Sequence, residues 1–440
     1  MKSLLKTLSL AICVLLLLST LAACTTPQED TATDPTNAPD PTEQVSKETE
    51  PPPEPVEEQT VIWTCIQDQT GTAHQIAEVF EDQNPGIKIE IQEIPGNSDD
   101  VKKGLITSLA AQQPDPDVFN MDVIWTTQFA SAGWLMDLTD VIDQDQYLDG
   151  PLTTVTYENK LWAFPMYTDV QLFYYRTDLV STPPTTWDEM VEISKEHIGK
   201  NGIEYGLLFQ AFQGEPIVCN GLSFIKSNGG NDIVNGEPVI NSPNSVEALQ
   251  FMRKLIDENI SPEDVLAHKP VDSVAIYEQG KALFLIAWPS SYNQMNTSET
   301  STIKDKFSVT LFPVGPSGTE PGPTVGGWNL AVNNLTDVPD AAVKFAQFAC
   351  GAEGQKIRTL GTATLPAWKT VYDDPDVLEQ LPIFSEVMAS VDYAKSRPSA
   401  PDYPAMSTLI AVNLHKALSG TMSYEDALAT LEEGMADLIN

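Results

Sequence analysis

The stretch from residue 61 to residue 91 reads VIWTCIQDQTGTAHQIAEVFEDQNPGIKIEI, and it decides the fold class. Its first six residues are short, apolar and β-branched, which predicts a strand. A helical pattern follows, with an apolar face made of Ala73, Ile76, Ala77 and Phe80. The tripeptide NPG ends that helix, and isoleucine then alternates with polar residues as in a second strand. A strand, a helix and a strand joined by short turns indicate an α/β sheet.

The same alternation continues downstream. Ser98-Asp99 can cap a helix, residues 117–123 read as a strand, and QFASAGWLMDL (128–138) reads as a further helix. Later helices are predicted to follow Ser242-Pro243, to span 336–352, and to follow the capping-box pattern at Ser423. The stretch from 59 to 440 exceeds one ordinary core, so we expect two lobes.

The N-terminus has the pattern of a signal peptide. Lys2 and Lys6 precede an apolar run that ends near residue 23. The run closes in Leu-Ala-Ala-Cys, which resembles the lipobox of bacterial lipoproteins and implies cleavage before Cys24 and lipidation of that cysteine. The alternative is plain secretion with an incidental cysteine.

The next segment, 24–58, is rich in Thr, Pro, Asp and Glu and has almost no apolar residues. Such a composition does not bury enough surface to fold, so we interpret it as an extended acidic tether. The formal net charge of −38 argues against nucleic acid as a partner, because binding to nucleic acid needs a basic surface. Cys65, Cys219 and Cys350 are widely spaced and are expected to be buried thiols rather than a disulfide framework.

Several catalytic and cofactor motifs are absent from the sequence. There is no G-x-x-x-x-G-K-[ST] and no G-x-S-x-G, and the four histidines, which are far apart, form no H-E-x-x-H. The sequence therefore supports no ATPase, no cofactor and no metal site.

Five stretches pair an aromatic residue with polar groups or glycine. They are DVIW (122–125), YTD (167–169) within PMYTDVQLFYYR (165–176), WPSSY (288–292), GGW (326–328) and RPSAPDY (397–403). Each alone is a weak signal, since a tryptophan is more often core and a lone Asp is usually a cap or a surface group. Together they match a sugar site, where a ring face packs on the apolar side of a pyranose and charged groups bind its hydroxyls. Glycine beside an aromatic residue lets the backbone approach the ligand closely.

The chain from about residue 60 to residue 440 resembles the extracellular solute-binding proteins of family 1, and within them the maltose/trehalose-type branch. The resemblance is carried by FEDQNPGIKIEI, DVFNMDVIWTTQFASAGWLMDL, PMYTDVQLFYYR, TTWDEM, VCNGLSFIKSNGG, INSPNSVEALQFMRKLI, GGWNLAVN and RPSAPDYPAMSTLI. It implies a two-lobed α/β, periplasmic-binding-protein-like fold with the ligand in the cleft between the lobes. The N-terminal lobe is expected to comprise 59–168 and 315–360, the C-terminal lobe 169–314 and 361–440, with one crossing near 169–172.

The resemblance also implies which residues bind the ligand. The matching positions are Asp122, Tyr167, Asp169, Trp288, Gly326, Trp328 and Arg397, and a second group comprises Gln67, Asp68, Trp125, Tyr292 and Tyr403. Two departures affect one end of the pocket. Where some relatives carry a Glu after the first strand, this chain has Gln67-Asp68-Gln69, and where some carry an Arg after the second strand it has PGNSDD.

The expected function is that of a lipid-anchored, monomeric, non-enzymatic receptor on the outer face of the membrane. It would bind a disaccharide or short oligosaccharide by lobe closure and deliver it to the permease of an ABC importer that has a separate ATPase. One alternative is a surface glycosidase with Asp122 and Asp169 as its carboxylate pair. The others keep the fold but bind iron through Tyr174-Tyr175, a sugar phosphate, or a different oligosaccharide.

Overall fold

The computed structural model describes residues 58–67, 69–95, 98–398, 400 and 402–439. All of them fall within one compact unit, Val56–Asn440. The predicted signal peptide, Cys24, nearly all of the predicted tether and Asp68 lie outside the described residues. Within the described part of the chain, no helix is both long and apolar enough to span a membrane.

Strands and helices alternate along the chain. The strands are β1 (Gln59–Ile66), β2 (Ile87–Ile94), β3 (Val118–Asp122), β4 (Thr156–Tyr157), β5 (Lys160–Leu161), β6 (Phe164–Val170), β7 (Leu172–Arg176), β8 (Tyr205–Leu208), β9 (Ile233–Val234), β10 (Glu237–Pro238), β11 (Ala282–Ala287), β12 (Phe307–Thr310), β13 (Val325–Val332) and β14 (Leu365–Pro366). The helices are α1 (Thr72–Gln83), α2 (Ser98–Ala110), α3 (Thr126–Ser131), α4 (Asp149–Thr154), α5 (Trp187–His197), α6 (Glu215–Ser227), α7 (Pro243–Asp257), α8 (Pro270–Glu278), α9 (Ser290–Thr297), α10 (Pro339–Ala349), α11 (Ala352–Thr362), α12 (Pro375–Gln380), α13 (Phe384–Val391), α14 (Tyr403–Leu418) and α15 (Tyr424–Ile439). Short 3₁₀ segments lie at Gln144–Gln146, Glu263–Ala267 and Lys369–Asp373.

The larger sheet, hereafter the large sheet, has the strand order β14-β6-β13-β3-β1-β2. Its strands β1, β2 and β3 are parallel, and β13 runs antiparallel between β3 and β6. The apolar face of α1 predicted from the sequence is buried on this sheet. An aromatic cluster of Trp63, Phe80 and Phe345 joins β1, α1 and α10, with ring centroids 5.2 Å apart.

The second sheet, hereafter the small sheet, has the order β12-β7-β11-β8. Its core contains Trp187, whose ring stacks on Phe251 at a centroid distance of 4.3 Å and whose indole N–H donates to Pro313 O. The C-terminal helices α14 and α15 pack on α6 and α7 around the same core. This arrangement gives each sheet a hydrophobic core of its own, as expected for two lobes.

The chain passes between the sheets where three segments run side by side. Strand β6 of the large sheet ends at Val170 and β7 of the small sheet begins at Leu172, so the sheet changes at Gln171. The Gln171 N–H donates to Thr324 O at 3.1 Å, and Thr324 forms a bridge with Lys395. The change of sheet thus lies inside the predicted crossing at 169–172. The predicted lobe boundaries remain a prediction; β14 pairs with β6 in the large sheet, beyond the boundary predicted at 361.

Most of the predicted elements are confirmed. The strands at 61–66, 87–91 and 117–123 and the helices after Ser98, Ser242 and Ser423 are present, and Ser242 caps α7 by accepting from the Ser245 N–H. The predicted helix 336–352 is found in its central part as α10. The three described cysteines are buried and none is disulfide-bonded, as expected.

One predicted helix, 128–138, is wrong over its second half. Helix α3 ends at Ser131, and Gly133 takes a φ of 74°, which breaks the helical path. Leu135 then forms an isolated bridge with Asn333, and the Met136 N–H donates to Val332 O. Leu135 and Leu138 are buried in the core of the large sheet and Trp134 and Met136 are half-buried against it, so tertiary pairing rather than helical periodicity decides the conformation of this segment.

The aromatic cluster of the large sheet supports a stability prediction. Replacing Phe345 by Ala removes a fully buried ring that contacts two others. We expect the free energy of unfolding, measured by urea titration, to fall by about 3–5 kcal/mol. Leu378→Ala is the matched control, because Leu378 is 57% exposed and should change stability by less than about 0.5 kcal/mol. Equal effects of the two variants would contradict the assignment of this core.

Candidate functional site

A cavity of about 400 Å³ lies where the carboxyl ends of β1, β3 and β11 meet the N-terminus of α6. Ligands of open α/β sheets bind at such an edge. The first group of predicted ligand residues lines this cavity together: Asp122, Tyr167, Asp169, Trp288, Gly326, Trp328 and Arg397. Residues from segments far apart in the sequence therefore line one cavity.

The register of β13 explains how the large sheet brings its residues together. Trp328 pairs with Asp122 on one neighbouring strand and with Tyr167 on the other, and Gly326 pairs with Asp169. Directly paired residues of antiparallel strands project to the same face. Two carboxylates and two aromatic rings therefore lie on one face of three adjacent strands.

The small sheet contributes Trp288, which directly follows β11. A Cβ built on Gly326 would lie only 2.9 Å from Cζ3 of Trp288, so the close approach of this ring requires glycine. The Tyr174 hydroxyl donates to Trp288 O at 2.8 Å and fixes the backbone at the end of the strand. Trp288 itself stays partly exposed in the cavity wall, where it offers its ring to a ligand.

Arg397 joins two carboxylates, that of Asp122 on β3 of the large sheet and that of Glu215 on α6, which packs in the core of the small sheet. Its Nη2 donates to Asp122 Oδ1 at 3.0 Å, and its Nη1 donates to Glu215 Oε1 at 2.8 Å. All three side chains are buried. Burial alone would lower the pKa of the Arg397 guanidinium, but the two carboxylates outweigh burial and raise that pKa. Arg397 is therefore a fixed cation at the junction of the lobes.

Glu215 is the more strongly stabilised of the two carboxylates. It also accepts from the Tyr403 hydroxyl at 2.6 Å and from the Ser407 hydroxyl. Burial raises the pKa of Glu215, yet Arg397, Ser407 and Tyr403 together lower it below its ordinary value. The sequence analysis missed Glu215; the available signal was an acid followed by proline at the start of an apolar helix.

The other two acids of the cavity have the opposite tendency. Burial raises the pKa of Asp122, and the attraction of Arg397 offsets this only in part. Burial raises the pKa of Asp169 further, because its nearest stabilising contact is the Val170 N–H at 3.0 Å rather than a cation. Asp169 is thus a desolvated carboxyl group that gains from any hydrogen-bonding ligand.

The second group of predicted residues is divided. Gln67 lines the cavity, whereas Asp68 lies outside the described residues. Trp125 is buried beside Trp328, with a centroid distance of 5.4 Å, and supports that ring from behind. Tyr292 packs on Phe307 away from the cavity. Tyr403 does not line the cavity either, but its hydroxyl donates a hydrogen bond to Glu215, which does.

Neutral amides form much of the remaining wall. Besides Gln67, the side chains of Gln69, Gln171, Gln210, Asn220 and Gln294 line the cavity. The sequence analysis did not identify these five residues. Asn220 could have been noticed as a polar residue within the apolar helix VCNGLSF, but no periodicity indicated that it faces a cavity.

A larger cavity of about 740 Å³ adjoins the smaller one, and Tyr167, Gly326 and Arg397 line both. Thr168 and Val325, next to Asp169 and Gly326 in the strands, line the larger cavity and not the smaller one. Among the described residues that line it, none is acidic. The smaller cavity, with its carboxylates and aromatic rings, is therefore the candidate ligand site.

The sequence matches the family model described as bacterial extracellular solute-binding protein over residues 67–356. This match covers well over half of the chain. The chain belongs to the bacterial extracellular solute-binding proteins. The family inferred from the sequence is confirmed.

Individual relatives agree with this assignment. A probable ABC transporter-binding protein of Deinococcus radiodurans is 30% identical over 368 residues, covering 80% of this chain and 86% of the relative. A maltotriose-binding protein of Pyrococcus abyssi is 25% identical, covering 79% of this chain and 74% of the relative. The structure of maltose-bound MalE3 of T. maritima superposes with a TM-score of 0.81 at 32% identity, covering 86% and 99% of the two chains. The predicted two-lobed α/β fold is confirmed.

In this solute-binding protein, α2 of the large-sheet lobe contacts the other lobe directly. The Glu215 N–H, at the start of α6, donates to Asp99 Oδ2 at 3.0 Å. The adjacent Asp100 forms an ion pair of 2.9 Å with Lys269. These contacts lie beside the ligand cavity and hold the two walls together.

Asp169 allows a test of the electrostatics of the cavity. Because its folded-state pKa is raised above the ordinary 3.8, ionisation destabilises the ligand-free protein above that pH, and the cost increases until the raised pKa is passed. We expect Asp169→Asn to raise Tm at pH 7 and to lose this gain as the pH falls towards 3.8. The exposed Asp392→Asn is the control and should change Tm little at either pH. A lower Tm of Asp169→Asn at pH 7 would refute the interpretation.

Proposed function

We propose that this protein is the substrate-binding component of an ABC sugar importer and that it binds a disaccharide or short oligosaccharide of the maltose or trehalose type. The observation that carries the proposal is the juxtaposition of Trp288, seated on Gly326, with the buried carboxyl group of Asp169. An aromatic face beside hydrogen-bonding acids suits the apolar face and hydroxyl rim of a pyranose. The likeness to maltose-bound MalE3 at 32% identity supports the same ligand class.

The charges of the cavity favour a neutral ligand. Arg397 is the cation among the described residues that line it, and Asp122 and Glu215 already hold its guanidinium. A phosphate group would meet these carboxylates and Asp169 without a free cation to pair with. A sugar phosphate is therefore the weaker alternative.

Iron binding through the adjacent tyrosines has little support in the geometry. The Tyr174 hydroxyl is buried and donates to Trp288 O, so it is committed to holding β7 and β11 together. Among the described residues, no group of three or more His, Cys, Asp and Glu side chains is placed to hold a metal ion. A sugar ligand uses the residues of the cavity as they are placed.

Binding without chemistry is the simpler reading of the two cavity aspartates. A glycosidase needs one carboxyl group to act as an acid and the other as a nucleophile or base. Here Asp122 is hydrogen-bonded to Arg397, so of these two aspartates only Asp169 has a carboxyl group that is not paired with a cation. We propose that the sugar is released unchanged, as in the solute-binding family.

In the proposed mechanism, the sugar shifts the population towards the form in which the lobes contact each other. Trp288, Gln210 and Asn220 come from one lobe, whereas Asp122 and Trp328 come from the other, so a ligand between them contacts both. The permease would recognise this form of the monomeric receptor. The relative named as an ABC transporter-binding protein supports such a partner.

The first experiment is a thermal-shift and calorimetry panel with trehalose, maltose, maltotriose, sucrose and xylo-oligosaccharides on a protein that starts near residue 59. A ligand at a hundred times its Kd adds about 2.7 kcal/mol to stability. Trp288→Ala should weaken binding of the best sugar roughly 30-fold, because truncating a tryptophan in a binding centre costs about 2 kcal/mol or more.

Trp162→Ala is the matched control, since Trp162 does not line the cavity. It should leave Kd unchanged. No shift with any sugar, with the protein folded, would refute the proposed ligand class. Equal losses in both tryptophan variants would refute the site, and hydrolysis of the recovered sugar would refute a purely binding role.

We also propose that lipid on Cys24 anchors the protein to the outer face of the membrane. The lipobox-like Leu-Ala-Ala-Cys and the acidic segment after it support this proposal. In Cys24→Ala, expressed in a bacterium that processes lipoproteins, we expect the protein to leave the membrane fraction. Cys219→Ser, which changes a buried cysteine of the folded part, should stay at the membrane. Membrane retention of Cys24→Ala would contradict the anchor.

A further inference from the structure

One polar atom in the wall of the ligand cavity has no partner. Asn220, on α6, is 1% exposed and lines the cavity, and its Oδ1 makes no hydrogen bond within the described part of the chain. A buried carbonyl oxygen without a donor costs free energy, so proteins rarely leave one unless another molecule satisfies it.

The orientation of this amide is fixed by its other end. The Asn220 Nδ2 donates to Gln210 Oε1 at 3.1 Å and to Pro216 O at 2.9 Å, which uses both of its hydrogens. A flipped amide would lose both bonds and place its oxygen against two acceptors. The network therefore determines that Oδ1 is the free atom.

The neighbouring amides are fixed in the same way. Gln210 donates to Ile286 O at 2.7 Å, and the Gln171 Oε1 accepts from the Ser223 hydroxyl at 2.6 Å. Both glutamines are 1% exposed and line the cavity. Asn220 Oδ1 thus belongs to a rigid, neutral section of the wall that cannot rotate to find a donor of its own.

We propose that Asn220 Oδ1 accepts a hydrogen bond from one hydroxyl of the sugar and makes that hydroxyl a determinant of specificity. The inference rests on the proposed sugar-binding function. An acceptor held without a partner selects for an O–H donor, because a ligand that lacks the donor leaves the oxygen desolvated and unpaired. It also disfavours groups that only accept, such as a carboxylate or a phosphate. Asn220 is therefore a specificity residue of the small-sheet lobe.

The test uses maltose and trehalose with the monodeoxy and monodeoxyfluoro analogues of each, titrated calorimetrically. A fluorine replaces the hydroxyl without donating a hydrogen bond. In the unaltered protein, replacing the hydroxyl at one ring position, by hydrogen or by fluorine, should weaken binding at least about tenfold. In Asn220→Ala, the parent sugar should bind as weakly as that analogue does, so that the discrimination at this position alone disappears.

Two further variants separate this role from a general loss of structure. Asn220→Asp, compared with the unaltered protein at a pH acidic enough to keep the new carboxyl group protonated, keeps an acceptor and donates one O–H towards Gln210 Oε1, so it should retain the discrimination at that position. Asn413→Ala removes another buried asparagine with an unpaired Oδ1, which does not line the ligand cavity, and it should keep both affinity and discrimination. Should Asn220→Ala fail to fold, Asn220→Leu, which also removes the acceptor but keeps most of the side-chain volume, takes its place and should show the same loss of discrimination.

The outcomes are distinct. If Asn220→Ala binds the sugar and loses as much affinity for each analogue as the unaltered protein does, the role of Asn220 is overturned. The proposed function is left standing by that result. Discrimination lost in Asn220→Asp as well as in Asn220→Ala assigns the effect to the Nδ2 bonds and also overturns it. If no sugar of the panel binds, the proposed function fails and the inference fails with it; if another sugar of the panel binds best, its own analogues take the place of those of maltose and trehalose.

Discussion

The buried guanidinium of Arg397 is the interaction on which the junction of the two lobes depends. It lies between Asp122, at the end of β3 in the large sheet, and Glu215, at the start of α6, which packs in the core of the small sheet. Removing one member of such a set leaves an uncompensated buried charge, which costs about 3–5 kcal/mol. The rest of the cavity is arranged around this pairing. Glu215 is further held by Tyr403 and Ser407, so that α14 also becomes part of the junction.

The two halves of the cavity differ in chemical character. The large sheet supplies acids and aromatic rings from adjacent strands, whereas the small-sheet lobe supplies Trp288 and a set of neutral amides fixed by their own hydrogen bonds. A ligand held between the two halves forms hydrogen bonds with the poorly solvated polar groups on both sides and stacks on the aromatic rings. This division gives a physical reason for lobe closure, because neither wall satisfies the ligand or its own polar groups alone.

Strand and helix periodicity was sufficient to predict an α/β sheet, since the apolar face of α1 and the alternation of β2 are local patterns, whereas the cleft between two lobes was implied by the family resemblance. The seven residues taken from the family resemblance were found along one cavity. Two other predicted aromatic residues lie elsewhere: Trp125 packs behind Trp328, and Tyr292 packs on Phe307 away from the cavity. Periodicity identifies the face of an element but not the partner that covers it. For the same reason Glu215 and Asn220, whose roles arise from contacts with Arg397 and Gln210, could not be inferred from local patterns.

The thiol of Cys219 lies in the cavity wall one helical turn from Glu215, whose carboxylate accepts from it at 3.9 Å. Burial raises the pKa of this thiol, and it is 3% exposed, so it is a poor nucleophile while the lobes are in contact. Cys65 and Cys350 lie in the core of the large-sheet lobe and do not line the cavity. Of the three buried cysteines that the structure describes, Cys219 is therefore the one that lines the cavity. In the proposed mechanism of lobe closure, the rate at which an alkylating reagent consumes Cys219 would report how often the lobes separate, without any attached probe.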